Sequence, residues 1–143
     1  MKNKKKSICI ISAFYNEEEN LAKFIKNLEI TRSKLLKMGY SVNLTLVNDG
    51  STDKSINIVK KKNSSKKFIK LINLNKNYGQ QIAIYVALKN EKADFYGALD
   101  SDCQQDSNLF IKMINRLKSN KLELLQMKKK YGNYEGIIKK FLS

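Results

Sequence analysis

The chain has no histidine, no proline and no tryptophan, and its 143 residues include only two cysteines, Cys9 and Cys103. Without histidine, the commonest zinc ligand and the most frequent general base are both excluded. Two cysteines fit neither a disulfide framework nor a multi-cysteine metal site, so a reducing, cytoplasmic location is expected.

Long apolar runs and acidic residues are also scarce. No apolar run approaches the roughly 20 residues that a membrane-spanning helix needs. The chain has 13 Asp+Glu against 28 Lys+Arg, a formal net charge of +15. Such a charge attracts polyanions, namely nucleic acid, an anionic membrane face or a phosphorylated ligand. The lysine blocks carry no recognised nucleic-acid-binding motif, so nucleic acid is not the expected partner.

Apolar segments rich in β-forming residues alternate with segments of helical periodicity. The predicted strands are residues 7–14, 42–48, 68–74, 95–99 and 122–127. Apolar stripes predict a helix over residues 21–36, a weaker one around 56–59, one through Ile82, Tyr85 and Val86, and one over 109–117. Asn16 and Glu19 are the expected capping box of the first helix. This alternation predicts an α/β fold with an open, mainly parallel sheet flanked by helices.

Polar clusters follow three of these strands. They are "YNEEEN" after the first strand, "NDGSTD" after the second and "DSDCQQD" after the fourth. Ligands of open parallel sheets bind at the carboxyl ends of the strands, so the three clusters should share one edge.

Two of the clusters carry groups suited to a nucleotide and a metal. Asp100 and Asp102 can converge on one hard cation such as Mg²⁺ or Mn²⁺, which prefers carboxylate and phosphate oxygens. The alternative is that both acids only cap the next helix, whose N-terminal dipole favours negative charge. Asn48 and Asp49 offer amide and carboxylate groups for a nucleobase or ribose, and Gly79 permits close approach to a helix start.

Four motifs together support a family resemblance. The segments "AFYNEEENL", "LVNDGSTDKS", "LNKNYGQQIAIYVAL" and "LDSDCQQD", in this order and spacing, resemble the nucleotide-binding half of family 2 glycosyltransferases, which have the GT-A fold. Within the family, the chain is most similar to the polyprenyl-phosphate glycosyltransferases, which include dolichol-phosphate mannose synthase. The resemblance implies one domain over residues 1–143, with the C-terminal part of the usual domain missing.

The resemblance implies roles for particular residues. The nucleotide-sugar site would comprise Tyr15, Glu17, Asn48, Asp49, Asn77, Gly79 and Gln80. Asp100 and Asp102 would be the catalytic carboxylates, and together with Gln104 they would hold Mg²⁺ or Mn²⁺ on the diphosphate.

The activity implied by the resemblance is metal-dependent, inverting transfer of a sugar from a nucleotide-diphosphate sugar to an acceptor. Polyprenyl phosphate is the expected acceptor, because a phosphate monoester is already largely anionic at neutral pH and needs little proton removal. Three alternatives stay open: a truncated, non-catalytic nucleotide-sugar-binding remnant, half of a split enzyme completed by a second chain, and a basic nucleic-acid-binding α/β protein.

The end of the chain carries a further apolar stripe with helical spacing, formed by Tyr134, Ile137, Ile138, Phe141 and Leu142. It predicts an amphipathic helix that packs on the protein or lies on an anionic membrane. Peripheral attachment to the inner face of the membrane is therefore a hypothesis beside the cytoplasmic location.

Overall fold

The computed structural model describes residues 5–64, 66–101, 107–120, 124–126 and 137–139. Helices and strands follow one another as β1 (Ser7–Phe14), α1 (Leu21–Lys37), β2 (Ser41–Asn48), α2 (Ser55–Asn63), β3 (Ile69–Asn73), α3 (Gln80–Asn90), β4 (Phe95–Ala98), α4 (Ser107–Asn120), β5 (Leu124–Gln126) and β6 (Ile137–Lys139). Among the described residues, none of these helices is both long and apolar enough to cross a bilayer.

The strands form one sheet of six, in the order β3-β2-β1-β4-β6-β5. β1 pairs in parallel with β2 and β4, and β2 pairs in parallel with β3. The register aligns Phe14 with Asn48 and Asn48 with Asn73, so the carboxyl ends of β1 to β3 lie level. The predicted α/β architecture is confirmed, and the polar clusters after the first two strands reach the same edge.

The core lies on both faces of the central strand β1. Ile8, Ile10 and Phe14 join a cluster with apolar residues of α1, α2 and α4. Cys9 and Ile11 join a second cluster, to which α3 contributes two alanines. Alternate residues of a strand point to opposite faces, so a central strand buried on both faces reads as a continuous apolar run.

The capping box expected for α1 is not formed. Asn16 has φ +52° and lies in the preceding loop, and the helix begins at Leu21. The carbonyl oxygen of Glu17 accepts hydrogen bonds from the N–H groups of Asn20 and Leu21, so a turn separates Asn16 from the helix.

The core-facing side of α3 also differs from the prediction. Ala83 and Ala87 are fully buried, whereas Ile82 and Tyr85 are 48% and 56% exposed. α3 packs on β1 and β2, and its two buried alanines let it lie close to the sheet, while Ile84 and Leu88 pack partly against the same cluster.

The predicted C-terminal helix is wrong where the structure describes it. Ile137 to Lys139 form β6, which pairs antiparallel with β4 and with β5. This pairing satisfies the backbone donors and acceptors along the open edge of β4, a long-range gain that overrides the local helical spacing. The other members of the stripe, Tyr134, Phe141 and Leu142, lie outside the described residues.

Candidate functional site

A cleft of about 370 Å³ opens at the carboxyl ends of β1, β2 and β4, beside the start of α3. Its lining includes seven of the predicted site residues, Tyr15, Glu17, Asp49, Asn77, Gly79, Gln80 and Asp100. Ala13, Phe14 and Ser101 also line it and were not predicted. The predicted metal ligands Asp102 and Gln104 lie outside the described residues.

Two loops that border the cleft are tied together at Asn16. The Asn16 backbone N–H donates to Ser51 Oγ at 3.0 Å, and Asn16 Oδ1 accepts from the Thr52 N–H at 2.9 Å. Asn16 adopts the left-handed conformation, which asparagine tolerates better than most residues. The β1–α1 loop is thereby fastened to the β2–α2 loop.

Reciprocal carboxylate contacts extend this connection. Glu18 Oε2 accepts from the Lys54 N–H at 2.9 Å, and Asp53 Oδ2 accepts from the Glu18 N–H at 3.0 Å. The Glu17 N–H also donates to Ser55 Oγ at 2.8 Å. The Glu18 carboxylate lies at the N-terminus of α2, where the helix dipole favours an anion. These contacts hold Tyr15 and Glu17 at the wall of the cleft.

The hydrogen bonds at Asp53 change its acidity. Burial raises the pKa of the Asp53 carboxyl, but hydrogen bonds from the Ser55 hydroxyl and from the Ser55 and Glu18 backbone outweigh it and lower the pKa below its ordinary value. Hydrogen bonds to the charged form of a carboxylate favour that form. Asp53 is therefore a structural carboxylate that stays ionised in the loop connection.

Asp49 lies at the base of the cleft and is 3% exposed. Its Oδ1 accepts from the Tyr78 N–H at 2.8 Å, and its Oδ2 accepts from the Gly79 N–H at 2.9 Å. The Gly79 N–H also donates to Asn77 Oδ1 at 3.0 Å. Both oxygens of this predicted nucleoside-binding residue thus hold the loop between β3 and α3.

Gly50 supports the same loop by close contact. It has φ +73°, and a Cβ added to it would lie 2.3 Å from the backbone carbonyl carbon of Lys76. Neither the conformation nor the space admits a side chain without strain. Asp49 and Gly50 therefore anchor the loop by hydrogen bonds and by packing, respectively.

Asn48 lies beneath the cleft rather than in its lining. Its Oδ1 accepts from the Ser51 N–H at 3.0 Å, and its Nδ2 donates to Asn73 Oδ1 at 2.6 Å. The side chain is buried, and it links the end of β2 to the turn that follows and to the end of β3.

Gln80 connects the start of α3 to the end of β4. It is the first residue of α3, directly after Gly79 with φ +91°, and its Nε2 donates to Asp100 Oδ1. The Asp100 carboxylate is half-buried at the mouth of the cleft. The structure therefore places the Asp100 carboxylate next to the N-terminus of α3. The carboxylate is suited to a cation and the helix N-terminus to an anion, so the two could bind a cation and an anion together.

The described residues fit a divalent cation only in part. Carboxylate oxygen is the ligand that Mg²⁺ and Mn²⁺ prefer, and Asp100 offers it at the strand end. Within the described ranges, no group of three or more acidic or cysteine side chains could hold an ion by itself.

The loop connection was missed by sequence reasoning, although its residues were noticed. Asn16 is predicted to cap the first helix, because it precedes a helical segment. The sequence did contain a hint of this connection between the two loops. The segments "NEEEN" and "GSTD" have more side-chain hydrogen-bond acceptors than the caps of two helices require. Ala13, Phe14 and Ser101 carry no such signal, since apolar or small residues at strand ends are common.

Sequence comparisons place the chain among glycosyltransferases. The family described as Glycosyl transferase family 2 matches residues 9–140. Undecaprenyl-phosphate 4-deoxy-4-formamido-L-arabinose transferase of Pectobacterium atrosepticum is 35% identical over 100 residues, 69% of this chain and 30% of that protein. An uncharacterized glycosyltransferase of Synechocystis sp. is 30% identical over 110 residues, 76% of this chain and 33% of that protein. The chain thus spans about a third of the length of these relatives.

Solved structures show the same fold. The mannosyltransferase PcManGT of Pyrobaculum calidifontis, in complex with GDP-Man and Mn²⁺, matches with a TM-score of 0.72 at 16% identity, over 89% of this chain and 36% of that chain. TarS 1–349 of S. aureus, in complex with UDP-GlcNAc, matches with a TM-score of 0.70 at 24% identity, over 90% of this chain and 36% of that chain. At these identities the likeness concerns the fold alone. Taken with the match over residues 9–140, the parallel sheet and the cleft at its carboxyl edge show that the chain belongs to glycosyl transferase family 2 and has the GT-A fold.

Proposed function

We propose that the cleft binds a nucleotide-diphosphate sugar and that the protein transfers the sugar to an acceptor. The observation that carries this proposal is the Asp100 carboxylate, bonded to Gln80 at the start of α3, in the same cleft as Asp49, Tyr15 and Glu17. In this proposal the part of the lining around Asp100 and Gln80 is the diphosphate end, and the part around Tyr15 and Glu17 is the nucleoside end.

The diphosphate end would combine the start of α3 with a metal ion. Helix N-termini favour phosphate, because their backbone N–H groups and dipole attract negative charge. Asp100 would hold Mg²⁺ or Mn²⁺, with Asp102 and Gln104 as further proposed ligands. Such an ion would act as a Lewis acid that neutralises charge on the departing diphosphate. The presence of Mn²⁺ and GDP-Man in the PcManGT structure supports the use of a divalent ion with a sugar nucleotide.

The nucleoside end would be formed by the walls of the cleft. Tyr15 is 44% exposed and offers an aromatic ring, and Glu17 and Asn77 offer polar groups beside it. Asp49 lies at the base, where a second lone pair on each carboxylate oxygen can accept an N–H or O–H from the ligand. Asn48 contributes in this proposal by holding the turn rather than by touching the ligand.

Polyprenyl phosphate is the proposed acceptor. Support comes from the Pectobacterium relative, whose name specifies undecaprenyl phosphate. A phosphate acceptor also suits inverting transfer without a strong general base, since the second pKa of a phosphate monoester is about 6. Its head group lies at a bilayer surface, so peripheral attachment to an anionic membrane remains part of the proposal. That attachment no longer draws support from a C-terminal helix, because residues 137–139 form β6.

Binding of a sugar nucleotide without transfer is the second candidate. The chain spans about a third of the length of its relatives, and the nucleotide cleft lies within that third. In this case a second chain would supply acceptor-binding residues, or the protein would bind without turnover.

Calorimetry with UDP, GDP and their sugars, with Mn²⁺ or with a chelator, tests the proposed site. We expect binding with Mn²⁺ and at least about tenfold weaker binding in chelator, equivalent to about 1.4 kcal/mol. Asp100→Asn should reproduce that loss in the presence of Mn²⁺.

Asp94→Asn is the matched control, because Asp94 lies just before the opposite end of β4, where it bonds Ser7. Equal affinity in Mn²⁺ and in chelator would rule out the metal assignment. Transfer of radiolabelled sugar to polyprenyl phosphate in detergent then separates the two candidates.

A further inference from the structure

We propose that Asp49 is a positioning residue for Asp100, acting through the loop before α3 and through Gln80. The two ends of the cleft are then linked, and loss of the Asp49 carboxylate disturbs the diphosphate end more than the nucleoside end. This inference rests on the proposed nucleotide site and assigns Asp49 a role beyond contact with a base or ribose.

The first step is the pair of hydrogen bonds at Asp49. A carboxylate that accepts one N–H on each oxygen, at 2.8 and 2.9 Å, makes two charge-assisted bonds. The donors are consecutive amides, those of Tyr78 and Gly79, so the bonds restrain the orientation of the peptide between them. Because Asp49 is 3% exposed, water competes little for either bond.

The second step is the support of the loop from β2. The Leu74 N–H donates to the Asn48 carbonyl at 2.9 Å, where the loop leaves β3. Gly50 then contacts the backbone of Lys76 and Asn77 so closely that a Cβ would not fit. The loop therefore follows the end of β2 along its length, and Asp49 holds its last two residues.

The third step carries this restraint to Asp100. Gly79 has φ +91° and is followed at once by Gln80, the first residue of α3. The Gly79 amide bonded to Asp49 thus sets the point from which the Gln80 side chain departs. Gln80 Nε2 donates to Asp100 Oδ1. This contact orients the whole carboxylate and thereby also its other oxygen, Oδ2.

The test compares two ligands of the same nucleoside, a monophosphate without metal and a diphosphate with Mn²⁺. The pairs are UMP with UDP and GMP with GDP, measured by calorimetry. For Asp49→Asn we expect affinity for the Mn²⁺ diphosphate to fall at least about tenfold, and for the monophosphate no more than about threefold. Gln80→Ala should lower diphosphate affinity alone. The double variant should lose no more than the larger single loss, since residues in one chain of contacts are not additive.

Hydrogen exchange gives a readout that does not depend on nucleotide binding. Asp49→Asn should speed exchange of the Tyr78 amide, and to a smaller extent that of the Gly79 amide, which keeps Asn77 Oδ1 as an acceptor. It should also shift the carboxyl ¹³C resonance of Asp100. Gln80→Ala should shift that resonance without changing the two amides. Gln80 is exposed, so this variant tests the final link even where Asp49→Asn fails to fold.

The outcomes separate this proposal from the proposed function. Equal losses for monophosphate and diphosphate in Asp49→Asn would overturn the positioning role and leave a simple nucleoside contact. An unchanged Mn²⁺ diphosphate affinity in Gln80→Ala would also overturn it. If the unaltered protein binds none of the four nucleotides, the proposed function fails. The exchange and ¹³C measurements then decide the link by themselves, and an unmoved Asp100 resonance in both variants refutes it.

Discussion

Three consecutive residues at the end of β2 have different structural roles. Asn48 hydrogen-bonds Asn73 at the end of β3, Asp49 accepts from two backbone amides, and Gly50 admits a close backbone contact. Each role needs that residue type, because a carboxylate, a missing side chain and an amide are not interchangeable there. Substitutions at this scale should therefore have separable effects.

Gly50→Ala should be more destabilising than Gly39→Ala. Both glycines have positive φ, +73° and +89°, but only at Gly50 would the new Cβ meet backbone atoms. We expect about 1 kcal/mol for Gly39→Ala from backbone strain and about 2–4 kcal/mol for Gly50→Ala. Urea denaturation measures both free energies of unfolding. Equal losses would show that the loop moves away from Gly50 at little cost.

Cys9 should be unreactive in the native protein. Burial raises the pKa of its thiol to about 11, an effect only partly offset by its hydrogen bond with Thr45. In a Cys103→Ser variant, we expect Cys9 to react with a thiol reagent at pH 8 only as fast as the protein unfolds. The folded pKa exceeds the unfolded value of 9.0, so this group's contribution to stability should be complete below pH 9 and decline towards pH 11. Fast labelling under native conditions would contradict the buried position.

The helices and loops show which contacts organise the elements. α3 places Ala83 and Ala87 against the sheet and leaves Ile82 and Tyr85 largely exposed. Tyr85 also lines an apolar groove of about 350 Å³ between α3 and β4. At the carboxyl edge of the sheet, the Glu18 carboxylate accepts from the Lys54 N–H and the Asp53 carboxylate accepts from the Glu18 N–H, and these bonds hold two loops together.

Ala83→Leu should destabilise the protein, whereas Ile82→Ser should not. A larger side chain at a fully buried alanine forces α3 away from the sheet, at a cost of about 1–3 kcal/mol. The substitution Ile82→Ser, at the neighbouring exposed position, should change the free energy of unfolding by less than about 0.5 kcal/mol. Thermal and urea unfolding of both variants would check this. A larger loss of stability for Ile82→Ser than for Ala83→Leu would indicate that Ile82 faces the core, as predicted from the sequence.

Asp53→Asn should weaken the loop connection in a pH-dependent way. The folded pKa of Asp53 lies below its ordinary value of 3.8, so the carboxylate stabilises the fold above that pH and loses its effect as pH falls through the folded pKa. The difference in unfolding free energy between the unaltered protein and Asp53→Asn should therefore shrink between pH 5 and pH 2, two values chosen to bracket the titration. A difference that stays constant over this range would contradict the role of the charge.

At the scale of the whole molecule, lysines are concentrated at one edge of the sheet, although Glu91 and Asp94 also lie there. Helices end and strands begin at the edge opposite the cleft, and lysines gather there, among them Lys5, Lys6, Lys34, Lys37, Lys60, Lys61, Lys66, Lys67, Lys89 and Lys92. The edge with the cleft carries acidic side chains, among them Glu17, Glu18, Asp49, Asp53 and Asp100. A bilayer held at the basic edge would face away from the cleft. Vesicle binding there would therefore not deliver polyprenyl phosphate to the proposed site, whereas binding beside the cleft would.

Neutralising the basic edge should reduce binding to anionic vesicles without changing nucleotide affinity. The variant Lys60→Gln, Lys61→Gln, Lys67→Gln removes three exposed charges from it. The control Lys23→Gln, Lys26→Gln, Lys54→Gln removes three exposed charges nearer the cleft. Each charge near such a surface contributes about 1 kcal/mol, so co-sedimentation at low salt should fall more for the first variant. A larger loss in the control would place the contact surface beside the cleft.

The sequence by itself determined five of the six described strands, β1 to β5, and the polar clusters that follow β1, β2 and β4. Those features depend on neighbours along the chain. Each of β1 to β5 lies within or beside a predicted segment, because apolar β-forming runs are local signals. Seven of the predicted site residues line the cleft for the same reason, since chain topology alone brings strand ends to one edge.

Only the tertiary structure decided the rest. The pairing of residues 137–139 with β4, the burial of Ala83 instead of Ile82, and the two amides held by Asp49 each depend on a partner distant in sequence. A helical or capping pattern indicates which conformation a segment can adopt without partners elsewhere in the chain. Long-range pairing and close packing determine which of those possibilities the folded chain adopts, because they satisfy more backbone groups and bury more apolar surface than the local alternatives.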